Sequence, residues 1–360
     1  MLAGKASAMS RHNCLRRVQV LFIFLSVTAW FALSFVLSRL SSTIARVDHG
    51  TISFFSFTSK YDERTCRVTR SAGAHGIRMN VLDESVISPE LRLKDKKLSK
   101  IIALKSVLES REHRRFYNLE DNTIVAFVDA TDVVFLGTPD EFETTFLKIE
   151  KNWGYGLVLV GAEENCWPYM IGETERLTEG KQTCRLLSAG QETRYKFLNS
   201  GTYIGRVIHL LPFLKTVHFQ NGIEENRGKR APGDQLIMQE VFLAQVQGVN
   251  FTDFGIRLDS LQEIFQCAVG TQLGTSHSFH LSKGSGAYLD TLSGRVYNED
   301  TSRLPLLIHF NGEKNGFNPV ADSVYTVVSG NEKRRKIMAE SLKWYTDQYD
   351  WARLLCQSIY

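Results

Sequence analysis

Apolar and polar positions alternate along this chain in blocks, and the blocks differ in length. The longest is Val18–Leu37, VQVLFIFLSVTAWFALSFVL, with no formal charge. At about 1.5 Å per residue, a helix over this run matches a hydrocarbon core of about 30 Å. Shorter runs rich in β-branched and aromatic residues predict buried strands at Thr51–Thr58, Gly76–Leu82, Ile124–Val128 and Gly156–Ala162. Lys196–Ile204 reads as a strand interrupted at Ser200-Gly201, and Arg303–Phe310 ends in a last strand, PLLIHF. Ser99–Arg111 carries a helical period, with Ile101, Leu104 and Leu108 on one face. Phe142–Trp153, Asp234–Val246 and Glu332–Leu355 also read as helices. Asp234 lies near a helix start, where the dipole favours negative charge. Strands alternating with helices predict an α/β domain with a largely parallel sheet.

Charge changes the picture at one place. The formal net charge is +4, and Lys5, Arg11, Arg16 and Arg17, with no acid before residue 18, account for all of it. The rest is close to neutral, which gives no nucleic-acid footprint. The denser positive flank precedes Val18–Leu37, so the N-terminus is expected to stay cytoplasmic and the bulk to be translocated. A cleaved signal peptide would have a shorter apolar region and a small-x-small site. LSRLSSTIAR offers no such site, so the run reads as an uncleaved type II anchor. The expected organisation is a tail over 1–17, an anchor over 18–37, a stem over 38–50 and one lumenal domain over 51–360. An endoplasmic reticulum or Golgi membrane is the expected location. Cys66, Cys166, Cys184, Cys267 and Cys356 would then meet an oxidising lumen. Five is odd, so at least one stays free or pairs between chains, which leaves a homodimer open. Cys166 and Cys184, the nearest lumenal pair, are expected to bond and pin a polar loop. Asn250-Phe251-Thr252 is an acceptor for N-glycosylation.

Candidate chemistry gathers after the Ile124–Val128 strand, where NTIVAFVDATDVVF places Asp129 and Asp132 three apart. Acidic residues at the carboxyl end of a strand sit where open α/β sheets bind ligands. Two hard carboxylate oxygens so close suit Mg²⁺ or Mn²⁺, shared with substrate phosphates. An acidic turn after a strand is, by itself, more often just solvated.

An ordered set of blocks narrows the choice. Lys100–Lys105 (KIIALK), Phe127–Val134 (FVDATDVV), Ala162–Pro168 (AEENCWP), Phe197–Gly205 (FLNSGTYIG) and Leu307–Gly312 (LIHFNG) occur in this order, with Gly233–Leu236 (GDQL) before the last. Together they resemble the glycosyltransferase domain of the procollagen lysyl hydroxylases, over roughly residues 51–320. The resemblance implies a GT-A fold, with a mixed, mostly parallel sheet flanked by helices. It implies Mn²⁺-dependent transfer of glucose or galactose from a UDP-sugar to a protein or glycan hydroxyl, including hydroxylysine-linked acceptors. The iron-dependent hydroxylase domain of that family is not expected within this chain. A non-catalytic lumenal module of the same fold is the alternative from another class.

The resemblance also implies roles. Asp129, Asp132 and His309 would hold the metal. Lys100, Asn199, Ser200, Gly201, Gln235, Asn311, Gly312 and Lys314 would meet the donor, with Lys314 acting as a point charge on the pyrophosphate. Glu163 and Asp234 would meet sugar or acceptor hydroxyls, and Trp167 would form a stacking wall for a sugar ring. Plainer readings stand beside these. Asp234 could simply cap its helix, Trp167 could be a core tryptophan, and His309 could be a satisfied strand-end histidine. The chain departs from the family's pattern in the basic run Asn226–Asp234, at Thr202 and at Phe310, all around the expected sugar and acceptor pocket.

Overall fold

A computed structural model describes residues 52–360 apart from 91–97, 155, 170–173, 191, 227–232, 269–271, 274–277, 281–286, 291–293, 313–316, 351, 353–355 and 357–360. The expected tail, membrane anchor and stem, and Lys314, lie outside the described residues. Among the described residues no helix is long and apolar enough to cross a membrane.

Five of the expected strands, with a sixth that the apolar pattern does not predict, form the main sheet, while the strand expected within Arg303–Phe310 joins a second sheet. The main sheet holds β1 (Ser53–Phe57), β2 (Met79–Leu82), β3 (Ile124–Val128), β5 (Leu157–Glu163), β6 (Phe197–Arg206) and the unpredicted β7 (Gly255–Leu258), in the order β2-β1-β3-β6-β5-β7. β6 alone runs against its neighbours; the other five share one direction. The sheet is therefore mixed and mostly parallel. β4 (Val133–Phe135), β8 (Phe265–Cys267) and β13 (Leu307–His309) form a second, three-stranded sheet in the order β4-β13-β8. A third sheet holds β9 (Gln272–Leu273), β10 (Ser278–His280), β11 (Ala287–Asp290) and β12 (Arg295–Asn298).

Both faces of the main sheet are buried, which is why its strands read as near-continuous apolar runs. Successive side chains point to opposite faces. Phe54, Ala126, Val128 and Ile204 join one core; Phe55, Val125, Phe127 and Tyr203 join the other. Helices α1 (Glu63–Ala74) and α4 (Pro139–Trp153) supply Ala72, Phe142 and Phe146 to the first. α2 (Ser99–Glu109) and α6 (Val207–Asn226) supply Ile101, Leu104 and Phe213 to the second, and α7 (Asp234–Val246) adds Ile237. The remaining described helices are α3 (Arg111–Phe116), α5 (Thr174–Leu187), α8 (Phe317–Ser329) and α9 (Glu332–Gln348).

Several boundaries differ from expectation for local reasons. α4 begins at Pro139 rather than Phe142, because Thr138 and Glu141 close a capping box ahead of Pro139. The helix expected over Ser99–Arg111 breaks at Ser110, whose hydroxyl caps α3 by accepting the His113 N–H. β6 is not interrupted at Ser200-Gly201: the Gly201 carbonyl accepts the Asp129 N–H at 2.8 Å and the ladder continues to Arg206. α6 carries an internal proline, Pro212, and no clear amphipathic period, so the pattern of apolar positions does not reveal it. Cys166–Cys184 is bonded as expected, and a second bond, Cys66–Cys356, ties α1 to the chain beyond α9. Cys267 is free and buried.

Candidate metal and donor site

β3 and β5 end at the same edge of the main sheet, and the antiparallel β6 enters there. Register pairs Val128 with Thr202, and Glu163 with Phe197. The Asp129–Asp132 turn, Glu163 and Asn199–Gly201 therefore share one edge. His309 reaches it from a different sheet. After the turn the chain enters β4, which pairs with β13 so that Val133 faces His309. The Phe310 N–H donates to the Asp132 carbonyl at 2.8 Å, which fixes the strand end against the turn. His309 Nε2 lies 3.5 Å from Asp129 Oδ2 and 3.7 Å from Asp132 Oδ1. The three ligand atoms lie within 4.8 Å of one another. Two carboxylate oxygens and an imidazole nitrogen suit Mn²⁺ or Mg²⁺.

The space between these groups depends on Gly201. A Cβ there would lie 2.2 Å from His309 Cε1 and 2.7 Å from Asp129 Oδ2. Only glycine lets the β6 backbone pass this close, so the residues present fit a small cation. His309 and Asp132 are buried. Burial alone would raise the Asp129 carboxyl, but Lys100 and His309 hold it below its ordinary value. Burial would lower the His309 imidazole, and Asp132 with Asp129 instead raise it well above its ordinary value.

A second polar cluster adjoins the first. Glu163 Oε1 accepts from Gln235 Nε2 at 2.5 Å and Asn199 Nδ2 at 3.3 Å, and Oε2 accepts from Asn311 Nδ2 at 2.5 Å. The Asn199 Oδ1 accepts from the Gly201 N–H at 2.9 Å. Burial pushes the Glu163 carboxyl up to about 7, although the three amide donors pull the other way. Lys100 on α2 bridges Asp129 Oδ1 at 2.9 Å and Asp234 Oδ2 at 2.6 Å, and Ser200 Oγ donates to that same Asp234 oxygen at 2.7 Å. Asp234 and Gln235, both at the start of α7, thus hold opposite ends of the site. Asp234 bonds outward to other elements, so capping its own helix does not account for it.

The family described as PLOD GT domain matches residues 49–333. The chain belongs to this PLOD glycosyltransferase-domain family. A relative in Drosophila melanogaster, procollagen-lysine,2-oxoglutarate 5-dioxygenase, is 26% identical over 197 residues, 54% of this chain and 22% of that protein. The match therefore spans about a fifth of the relative's length.

Within this PLOD-type domain the residues singled out from the sequence fall into three groups. Asp129, Asp132, His309, Lys100, Gly201, Ser200 and Asp234 are linked by the contacts above. Glu163, Asn199, Gln235 and Asn311 form the adjoining amide–carboxylate cluster. Trp167 belongs to its rim: its carbonyl accepts from Gln235 Nε2 at 3.2 Å, while the residue is 54% exposed. It is not a core tryptophan. Gly312 is exposed in the left-handed region, with φ +86°, and turns the chain after Asn311.

The support behind this cluster leaves little trace in the sequence. Asp259, just past β7, accepts N–H bonds from Glu263, Ile264 and Phe265 at 2.8–2.9 Å, and burial pushes its carboxyl up to about 6. Gln262, at φ +54°, donates to the Ala162 carbonyl and accepts from the Cys267 N–H. These bonds join the end of β5 to β8, the strand beside His309. The Asp259-Ser260 pair straight after Gly255–Leu258 is the local sign that the chain turns here.

Proposed function

We propose that this chain is a metal-dependent glycosyltransferase that moves a hexose, glucose or galactose, from a UDP-sugar to a protein or glycan hydroxyl. The observation that carries the reading is the meeting of Asp129, Asp132 and His309 at one point in a chain of this family. Three solvated surface residues from two sheets would have no reason to converge. In this reading these three side chains hold Mn²⁺ or Mg²⁺. The ion, when bound, supplies the positive charge that stabilises the departing diphosphate.

The chain's own residues do the rest. Lys100, Asn199, Ser200 and Gly201 line the donor side. Asn199, Gln235 and Asn311 hold both oxygens of Glu163 in one orientation, so that carboxylate presents its remaining lone pairs to sugar or acceptor hydroxyls. Asp234 is the second such acceptor, and Trp167 offers an apolar face to a sugar ring. The Drosophila relative is named for action on procollagen lysine, and we take hydroxylysine-linked hydroxyls as the acceptor class on that ground. The asymmetric charge around Val18–Leu37 supports a type II orientation in an endoplasmic reticulum or Golgi membrane, with residues 51–360 lumenal.

A screen of UDP-sugars by UDP release, with Mn²⁺ and with chelator, tests the reading. Asp129→Ala and Asp132→Ala are each expected to abolish metal-dependent turnover. Their effect on stability should be a separate, smaller matter than turnover. Turnover that survives either substitution would refute the three-ligand site. A folded protein that releases no UDP from any donor would favour the non-catalytic module.

A further inference from the structure

We propose that Lys100 is a positioning residue that restrains the divalent-ion affinity of the Asp129–Asp132–His309 centre by competing for Asp129. The inference rests on the metal-centre reading above. Asp129 divides its carboxylate. Oδ2 faces His309 at 3.5 Å, and Oδ1 takes the Lys100 ammonium at 2.9 Å. Lys100 is in turn shared with Asp234 Oδ2 at 2.6 Å. Its side chain is 17% exposed and those of Asp129 and Asp234 are 27% and 21% exposed. All three are partly withdrawn from water, where charges act on one another more strongly than in bulk.

A cation arriving at Asp129 meets a carboxylate already engaged by a cation. It also meets the repulsion of that ammonium. Two signs follow. Removing the lysine frees Asp129 and tightens ion binding, although a residue of the site has been lost. Removing Asp234 takes away one of the two carboxylates that share the ammonium, so Lys100 holds Asp129 harder and ion binding weakens. An ion pair that served only to hold α2 and α7 on the sheet would not give the first result, and removing both partners would not restore the affinity lost with Asp234. Its loss would loosen the site and weaken the ion. The arrangement lets Lys100 balance these two half-buried carboxylates when no ion is bound.

The test is titration of the full-length protein with MnCl₂, following free Mn²⁺ by electron paramagnetic resonance and protein stability by thermal shift. The variants are Lys100→Met, Lys100→Arg, Asp234→Asn and the double Lys100→Met/Asp234→Asn. Lys100→Met is expected to bind Mn²⁺ on the order of tenfold tighter than wild type and to gain a larger thermal shift. Lys100→Arg keeps the charge and should stay close to wild type. Asp234→Asn should bind more weakly, and the double variant should recover at least wild-type affinity. The double variant removes one charge of each sign, so it carries the test if Lys100→Met does not fold. Equal or weaker Mn²⁺ binding by Lys100→Met, or a double variant no tighter than Asp234→Asn, overturns the proposal while the metal centre stands. Absence of Mn²⁺ binding by the wild type overturns both.

Discussion

Glu163→Gln separates the charge of this carboxyl from its shape. The side chain is buried, and its ordinary value of 4.5 is pushed up to about 7, first by burial and against the pull of Gln235, Asn199 and Asn311. The folded protein therefore holds this proton more tightly than the unfolded chain does. The resulting stabilisation is fully present below about pH 4.5 and is lost as pH rises through 7. A rise from 4.5 to about 7 corresponds to roughly 3 kcal/mol. Glutamine does not titrate, so that component should vanish in the variant. The amide also carries a cost that does not vary with pH. One of its ends must donate, yet Asn311 Nδ2 and Gln235 Nε2 both point donors at the carboxylate from 2.5 Å. At least one neighbour has to turn over. The assay is urea unfolding of both proteins, in chelator, at intervals from pH 4.5 to 8. Expected is a stability difference that moves in favour of Glu163→Gln as pH rises, by up to about 3 kcal/mol over this window. A difference that is flat with pH would show that Glu163 is already ionised across the whole range. The reasoning from burial would then be refuted.

Gly201→Ala is expected to lose Mn²⁺ stabilisation in a thermal-shift assay and to cost about 1–3 kcal/mol of stability, because the new methyl would lie 2.2 Å from His309 Cε1. A normal Mn²⁺ response from this variant would mean that the imidazole is not where the ion binds. Replacing both Cys166 and Cys184 by serine should cost about 3 kcal/mol on loop-entropy grounds for partners 18 residues apart. It should also raise KM more than it lowers kcat, since Trp167 follows Cys166 and leans on Gln235; an unchanged KM would remove the loop from substrate binding. Asn250 and Thr252 are exposed while Phe251 stacks on Phe254 at 4.7 Å, so the acceptor site is held outward. After synthesis into microsomes that are then opened with detergent, the chain should lose mass with an N-glycan-cleaving enzyme, and Asn250→Gln should abolish that loss; no shift in the wild type would count against a lumenal domain.

Much of this protein is written locally. Buried strands announce themselves as apolar runs because both faces of the main sheet are covered, and β1, β2, β3 and β5 fall where such runs predict them. Asp129 and Asp132 are legible as a pair because they share one turn. Cys166 and Cys184 are close enough in sequence to be paired by proximity, and they are bonded. Local patterning failed where structure was not local. α6 is apolar on too many sides to show a period, so it is a helix because of what packs around it. Cys66 and Cys356 stand 290 residues apart, and nothing between them marks the bond. Ser200-Gly201 looks like a break in a strand, and only the ladder to Asp129 reveals that β6 runs through it.

The site shows the same division. Residue types and block order point to Asp129, Asp132 and His309, but they do not say that His309 arrives from a second sheet, paired through β4 to the turn that carries the aspartates. Composition does not show that Glu163 is gripped by three amides from β6, α7 and the chain just past β13, or that Lys100 spans Asp129 and Asp234. Those facts follow from where β3, β5 and β6 end against one another. A sequence specifies which groups it has and the period of its own segments. Distances between groups far apart in the chain are decided only when packing brings the segments together, and at this site the chemistry depends on those distances.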